Sequence, residues 1–218
     1  MRWVSFDCFG TLVDWHSGFA ALLRPLVGDK LPEVMAAYHR HERRLEMEAP
    51  HRLYKDVLST SLARAAADAG VALTQAEAGI LKDSWDTLAV FDDVEPMLAG
   101  LRGMGCRLAV LTNCDEDLFA QTERAFHERF DLVVTAERVR DYKPSPTHFR
   151  FFSRSSGVVD SDWVHVACSW YHDIGPARDL GIHRVWLDRD GTGQDPSTAT
   201  AYVRSAADVC DAVARIHT

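Results

Sequence analysis

The sequence has no apolar run of the roughly 20 residues that a membrane-spanning helix needs. It is also poor in positive charge, with 24 Lys and Arg against 32 Asp and Glu among 218 residues, a formal net charge of −8. The phosphates of nucleic acids and anionic lipids repel such a chain, so we expect neither nucleic acid nor a membrane as a partner. Asp7 interrupts the N-terminal apolar run, so we expect no signal peptide.

Cysteine is scarce as well, and the five cysteines show no spacing typical of a disulfide framework or a metal site. Free cysteines are typical of a reducing compartment, so we expect a cytoplasmic protein. Hydrophobic residues make up 47% and charged residues 26% of the chain, which is typical of a globular domain. The length is enough for one large domain or for a core with a small insert.

The most informative residue is Asp7, which ends the apolar run Val4-Ser5-Phe6 and is soon followed by Gly10 and Thr11. The pattern predicts a buried strand over residues 2–6 that carries a carboxylate at its C-terminal end. Ligands of open α/β sheets bind at that end of the strands. An aspartate placed there can be a nucleophile, because its attack forms an ester that a second step hydrolyses. A simple turn or N-cap acid is the structural alternative.

Helical periodicity follows Asp14, and strand–helix alternation resumes near Asp93. We predict helices at 17–27, 32–48, 51–70 and 75–90, the last opened by a capping box from Thr74 to Glu77. Later strands are predicted at 107–112, 131–135, 163–167 and 184–187. Later helices are predicted at 95–103, 116–127, 146–156, near 173–180 and from about 205. This order predicts an α/β fold with a Rossmann-like, doubly wound parallel sheet (residues 1–14 and 93–218) and an inserted helical cap (residues 15–92).

Four motifs occur in order: Asp7 with Thr11, Thr112 ending "LAVLT", Lys143 in "DYKPSP", and Asp173 in the turn after "VHVA". Together they resemble the motifs of the haloacid dehalogenase superfamily, over nearly the whole chain. The resemblance implies that a helical cap covers the strand tips and that the active site lies between cap and core. It also implies catalytic roles for Asp7, Thr11, Lys143 and Asp173, with Lys143 paired to Asp7 and Asp173 orienting or activating the hydrolytic water.

Phe9 decides between the chemistries of this superfamily. The resembled phosphatases have an aspartate at this position, which protonates the leaving group as a general acid. Phenylalanine cannot transfer a proton, whereas a departing halide needs none. The dehalogenase branch carries an aromatic residue here, so Phe9 favours displacement at a carbon–halogen bond.

The comparison with the resembled phosphatases also indicates whether the site binds a metal ion. In the resembled phosphatases, acids of the fourth motif hold magnesium together with the first-motif pair. Phe9 and Cys168 stand at two of those carboxylate positions, and magnesium prefers oxygen ligands. We therefore expect no metal and no cofactor.

Further contacts with the substrate or the halide are implied for Phe9, Arg40, Thr112, Asn113, Ser169 and Trp170. The resemblance assigns Thr112 to the reacting carboxylate or the substrate and Asn113 to the halide. A strand-terminal turn is the structural alternative for this pair. The cap must also supply a cation, for which Arg40, Arg43 and Arg44 are the candidates. The alternative for this helix is a solvated charged face that includes Glu42, Glu46 and Glu48.

We therefore expect hydrolysis of short 2-haloalkanoic acids to 2-hydroxy acids through an aspartyl ester on Asp7. The partner would be a small halocarboxylic acid, and a homodimer is common among relatives. A small-molecule phosphatase of the same superfamily is one alternative, which magnesium dependence would favour. A non-catalytic relative that binds a small acid is the other.

Overall fold

The computed structural model describes residues 1–217. In chain order the strands are β1 (Trp3–Phe6), β2 (Val13–Asp14), β3 (Ala89–Val90), β4 (Arg107–Thr112), β5 (Leu132–Thr135), β6 (Trp163–Ala167), β7 (His183–Leu187) and β8 (Ala201–Val203). The helices are α1 (Trp15–Val27), α2 (Leu31–Glu46), α3 (Tyr54–Asp68), α4 (Gln75–Ala78), α5 (Ile80–Asp83), α6 (Val94–Gly103), α7 (Glu116–Thr122), α8 (Ala136–Val139), α9 (Thr147–Ser156), α10 (Gly175–Asp179) and α11 (Val209–Ile216).

Six strands form one sheet in the order β5–β4–β1–β6–β7–β8, and every neighbouring pair is parallel. Alternate residues of a strand face opposite sides of the sheet, and here both sides are apolar. Val4 and Phe6 of β1 belong to a large core cluster, whereas Trp3 belongs to a second cluster with Phe149 and Phe152 of α9. The predicted Rossmann-like parallel sheet is thereby confirmed.

Helices α1 to α5 lie between β2 and β3 in the chain. These two short strands pair antiparallel, Val13 with Val90 and Asp14 with Ala89, so the chain leaves and re-enters the sheet region at one place. Contacts with residues that follow β4 place the helices over the carboxyl edge of the sheet. The division into a core (1–14 and 93–218) and a cap (15–92) stays a prediction.

The single helix predicted over 75–90 is wrong. The capping box from Thr74 to Glu77 is present, but α4 ends at Ala78 and α5 spans only Ile80–Asp83. Gly79, a weak helix former, separates them, and a 3-10 turn at Trp85–Thr87 then leads into β3. That turn buries Trp85, whose indole N–H donates to the Thr122 hydroxyl at 3.0 Å.

Other differences are smaller. Strands β2, β3 and β8 and helix α8 were not predicted, each having only two to four residues. The helix predicted near 173–180 is a π-helical turn, Trp170–Ile174, followed by α10. No helix within residues 1–217 combines the length and the apolar character needed to cross a lipid bilayer.

Candidate active site

Asp7 follows the central strand β1, and both of its carboxylate oxygens are held. Its Oδ1 accepts a hydrogen bond from Lys143 Nζ at 2.9 Å, and its Oδ2 accepts one from Thr11 Oγ1 at 2.8 Å. The side chain is only 11% exposed. The position after β1 places this carboxylate at the carboxyl edge of the sheet, where the sequence predicts the site.

Lys143 is the buried cation of the site. Its ammonium donates to Asp7, to Asp173 Oδ1 at 2.7 Å and to the Leu111 carbonyl at 2.8 Å. Burial alone would lower the pKa of Lys143, but the carboxylates of Asp173 and Asp7 outweigh it and raise that pKa. The ammonium therefore stays charged and links the two acids.

Asp173 is fully buried and accepts hydrogen bonds on one oxygen only. Its Oδ1 contacts Lys143 and also lies 3.1 Å from Nε2 of His165, whose Nδ1 lies 2.8 Å from the hydroxyl of Ser5. Burial raises the pKa of Asp173, but Lys143 and the hydrogen bond with His165 lower it to about 2. Its Oδ2 has no hydrogen-bond partner among the described residues. An ionised oxygen without a partner in this place can accept a proton from a water molecule.

The turn after Asp7 is closely packed against the turn after β6. Gly10 has φ +91°, and a Cβ on it would lie 2.8 Å from Cys168 Sγ, so only glycine fits without displacement. Thr11 Oγ1 accepts the backbone N–H of Cys168 at 2.9 Å while it donates to Asp7. The Phe9 ring packs edge-on against the Trp85 ring, with 4.7 Å between the ring centres.

Magnesium, which the resembled phosphatases hold, does not fit this arrangement. The ammonium of Lys143 already lies between the carboxylates of Asp7 and Asp173, at 2.9 and 2.7 Å. Phe9 and Cys168 supply no oxygen ligand. Over residues 1–217, no group of three or more His, Cys, Asp or Glu side chains could hold a metal ion.

Of the further predicted contact residues, Thr112 and Asn113 adjoin the site but have other partners. The Thr112 hydroxyl donates to Cys114 Sγ at 3.6 Å. The Asn113 amide accepts from the backbone N–H of Lys143 at 2.7 Å, and it donates to the Lys143 carbonyl and to Glu46. Asn113 therefore fixes the loop that carries Lys143, and its contact with a halide stays a prediction.

Ser169 and Trp170 contribute to the turn after β6. The Ser169 hydroxyl accepts the backbone N–H of His172 at 3.1 Å and also contacts the ring of His172. The Trp170 ring packs on the small apolar cluster that contains Ile174 and Trp186. These contacts orient the turn, and substrate binding by the two side chains stays a prediction.

Arg40 is exposed on α2, and its contact with a substrate stays a prediction. Arg43 contacts the turn that follows β6, with its guanidinium 5.3 Å from the centre of the Tyr171 ring. A cleft of about 400 Å³ opens beside the site, and Arg43, Glu46, Arg140, Lys143 and Tyr171 are among the residues that line it. Among the three candidate arginines, Arg43 is thus the one that borders this cleft.

Sequence analysis missed two carboxyls on the face of α2 that points to the core. The Glu42 carboxylate accepts from the hydroxyls of Tyr54 at 2.6 Å and Tyr38 at 2.9 Å. Glu46 contacts Asn113 at 3.3 Å and lies 3.8 Å from Nε2 of His172. The alternative of a solvated charged face does not hold for these two residues, whose side chains are 16% and 7% exposed. Their four-residue spacing after Tyr38, an aromatic residue on the same helix face, is the signal that could have revealed them.

The chain matches the family model of haloacid dehalogenase-like hydrolases over residues 1–166. It is 23% identical to the (S)-2-haloacid dehalogenase of Pseudomonas sp. (strain YL), across 98% of this chain and 96% of that protein. A crystal structure of an L-2-haloacid dehalogenase superposes with a TM-score of 0.88 at 25% identity and covers 98% of this chain and 99% of that one. A phosphoserine phosphatase of Thermus thermophilus is 32% identical over 50% of this chain and 45% of its own length.

Proposed function

This chain belongs to the haloacid dehalogenase-like hydrolase family, and on that premise we propose that it hydrolyses the carbon–halogen bond of short 2-haloalkanoic acids. The observation that carries the proposal is the environment of Asp7. The hydrogen bond from Lys143 holds this carboxylate in place for attack, and Phe9, which cannot donate a proton, stands where the resembled phosphatases have their acid. Such a site suits a leaving group that departs as a stable anion.

In the first step, an oxygen of Asp7 attacks the carbon that bears the halogen, from the side opposite the halogen. A carbon–oxygen bond forms as the carbon–halogen bond breaks, the halide leaves with the bonding electrons, and the carbon is inverted. The product of this step is an ester of Asp7. Thr11 and Lys143 hold the carboxylate in one orientation during the attack.

In the second step, water attacks the carbonyl carbon of the Asp7 ester. The unpartnered Oδ2 of Asp173 accepts a proton from this water, and Lys143 stabilises the negative charge that develops on the Asp7 oxygen. The bond to the former ester oxygen then breaks, and that oxygen takes the proton back from Asp173 and leaves as the hydroxyl of the 2-hydroxy acid, while the second proton of the water is released to solvent. Asp7 is regenerated with one oxygen from water.

The test is halide release from chloro-, bromo- and fluoroacetate and from both enantiomers of 2-chloropropionate, with EDTA present. A phosphatase assay with added magnesium runs beside it. We expect halide release that EDTA does not change and that Asp7→Asn abolishes, because the amide is a poor nucleophile. Phosphate release that requires magnesium, without halide release, would overturn the proposal, as would full activity of the Asp7→Asn variant.

A further inference from the structure

Two polar side chains lie inside an apolar layer of the sheet. Ser5 of β1 and His165 of β6 are directly paired in the parallel register, so both point to the same face. Trp3 and Trp163, on that face of the same two strands, form an apolar cluster with Phe149 of α9. Both polar side chains are fully buried. Because a buried polar group costs free energy unless it is hydrogen-bonded, the partners of Ser5 and His165 indicate why they are there.

A series of three hydrogen bonds passes through this pair. The indole N–H of Trp163 donates to Ser5 Oγ at 2.7 Å, and Ser5 Oγ lies 2.8 Å from Nδ1 of His165. Nε2 of His165 lies 3.1 Å from Oδ1 of Asp173. The π-helical turn Trp170–Ile174 brings this acid back to the histidine, which lies in the preceding strand. The hydrogen-bond series thus ends on the acid that serves the second step of the proposed reaction.

The direction of each hydrogen bond follows from the atoms that form it. An indole N–H can only donate, so Ser5 Oγ is the acceptor for Trp163. The hydroxyl proton of Ser5 then has Nδ1 of His165 as its acceptor. A proton on Nδ1 would instead leave that hydroxyl proton without an acceptor among the described residues. Nδ1 is therefore assigned as the acceptor, and the neutral imidazole carries its proton on Nε2.

The last hydrogen bond distinguishes the two oxygens of Asp173. An ionised carboxylate can only accept, which agrees with a proton on Nε2 of His165. Oδ1 then accepts from His165 and from Lys143 at 2.7 Å, whereas Oδ2 accepts from none of the described residues. The ammonium of Lys143 lies on a flexible stem and also bonds to Asp7, so it does not fix this carboxyl group by itself. A ring held by the sheet does.

We propose that His165 is a positioning residue for hydrolysis of the Asp7 ester. Its Nε2–H holds Oδ1 of Asp173, so that Oδ2 stays free to take the proton of the attacking water. Ser5 and Trp163 fix the tautomer of His165 that can do this. No proton passes along the hydrogen-bond series, because Oδ2 returns its proton to the former ester oxygen and His165 keeps its own. The inference rests on the proposed function, since ester hydrolysis is the step that Asp173 serves.

The kinetic test follows both steps within one turnover. The full chain, in excess, is mixed with bromoacetate and quenched at intervals. Bromide reports the attack by Asp7, and mass spectrometry of the ester reports its hydrolysis. His165→Leu removes the donor to Asp173, so we expect ester hydrolysis to slow about 10–100-fold and bromide release to stay unchanged. His165→Gln retains an amide N–H of comparable reach and should recover most of the lost rate.

His148→Leu is the matched control. His148 is also fully buried, but its Nε2 contacts the Thr112 carbonyl at 3.2 Å and not an acid. A general loosening of the core would affect this variant as well, yet the ratio of its two rates should be that of the natural chain. Three results would overturn the inference: equal slowing of both steps in His165→Leu, unchanged ester hydrolysis in that variant, or a glutamine variant no faster than the leucine variant. The same change of ratio in His148→Leu would also overturn it.

Two further measurements decide the inference even if His165→Leu does not fold. Ser5→Ala leaves the imidazole in place but removes the donor to Nδ1, so the ester should persist longer in this variant too, and unchanged hydrolysis would overturn the inference. Nitrogen NMR of the histidine rings needs no substrate, and the His165 signals are assigned by their loss in His165→Gln. We expect a proton on Nε2 and none on Nδ1, and the reverse would overturn the inference. If the natural chain releases no bromide, the proposed reaction fails, and the NMR result alone decides whether His165 holds Asp173.

Discussion

Replacing Lys143 with methionine removes the ammonium that joins the two buried acids of the site. The side chain is 1% exposed, and its Nζ contacts Asp7 at 2.9 Å and Asp173 at 2.7 Å. Methionine fills a similar volume without charge, so both carboxylates lose their cation. Removing one partner of a buried ion pair costs about 3–5 kcal/mol, and we expect the free energy of unfolding to fall by that amount at neutral pH.

The pH dependence of this loss can be worked out from Asp173. Its pKa is lowered to about 2 in the folded protein from an ordinary value of 3.8. A carboxyl group whose pKa is lower in the folded than in the unfolded protein stabilises the fold at pH values above its unfolded pKa. This stabilisation is lost as the pH falls through the folded pKa. At about 1.4 kcal/mol per pKa unit, this contribution is about 2–3 kcal/mol, present from about pH 4 upwards. The raised pKa of Lys143 contributes stability below about pH 10, and this contribution is lost as the pH rises further.

Urea unfolding of the natural chain and of Lys143→Met at several pH values between 4 and 8 measures this effect. Without the ammonium, burial raises the pKa of Asp173, so the deficit should shrink as the pH falls and Asp173 takes up a proton. Lys143→Met/Asp173→Asn should recover part of the loss at pH 8, because it removes one of the uncompensated charges. A deficit under about 1 kcal/mol at pH 8, or one that grows towards pH 4, would refute this assignment.

Three further predictions concern neighbouring features. Asp173→Asn should slow turnover about 10²–10⁴-fold and leave a covalent adduct on Asp7 after mixing with bromoacetate, detectable by mass spectrometry; a slow variant without adduct would contradict the second step. Arg189→Ala should lower the free energy of unfolding by about 1–3 kcal/mol in urea, because it deprives Asp93 of hydrogen bonds at 2.9 and 3.0 Å; unchanged stability would contradict this role. Gly10→Ala should cost about 1–3 kcal/mol in the same assay, because φ is +91° and a Cβ would meet a sulfur at 2.8 Å; a variant as stable as the natural chain would show that the turn adapts.

The sheet was predictable because its strands are continuous apolar runs. Strands β4 and β6 have the bounds that the sequence predicts, 107–112 and 163–167. Apart from the exposed Arg107, their residues are buried on both faces, so the pattern needs no information from elsewhere in the chain. The strands β2 and β3 escaped prediction because two residues show no periodicity, and their pairing joins parts of the chain more than 70 residues apart.

The candidate site also has a part that the sequence predicts and a part that it does not. Asp7, Thr11, Lys143 and Asp173 follow strands or a stiff loop, and the structure brings all four together through direct hydrogen bonds. The cap side was harder to predict, because the second half of α2 is dense in charged residues and the sequence does not show which of them are covered. The spacing after Tyr38 indicates the helix face on which Glu42 and Glu46 lie, but their partners Tyr54, Asn113 and His172 come from other parts of the chain.

The pairing of β2 with β3 has a consequence for how this architecture changes. The 74 residues from Trp15 to Leu88 lie between two paired strands, so they form an inserted segment whose two ends are adjacent. Replacing this segment with a shorter or longer one would leave the strand order of the sheet unchanged. The entropic cost of closing the segment would also change little, because it varies only slowly with length. The candidate nucleophile Asp7 and Lys143 lie outside this segment, while Glu42 and Glu46 lie within it. A change in the length of this segment would therefore leave the hydrogen bonds among Asp7, Lys143 and Asp173 in place.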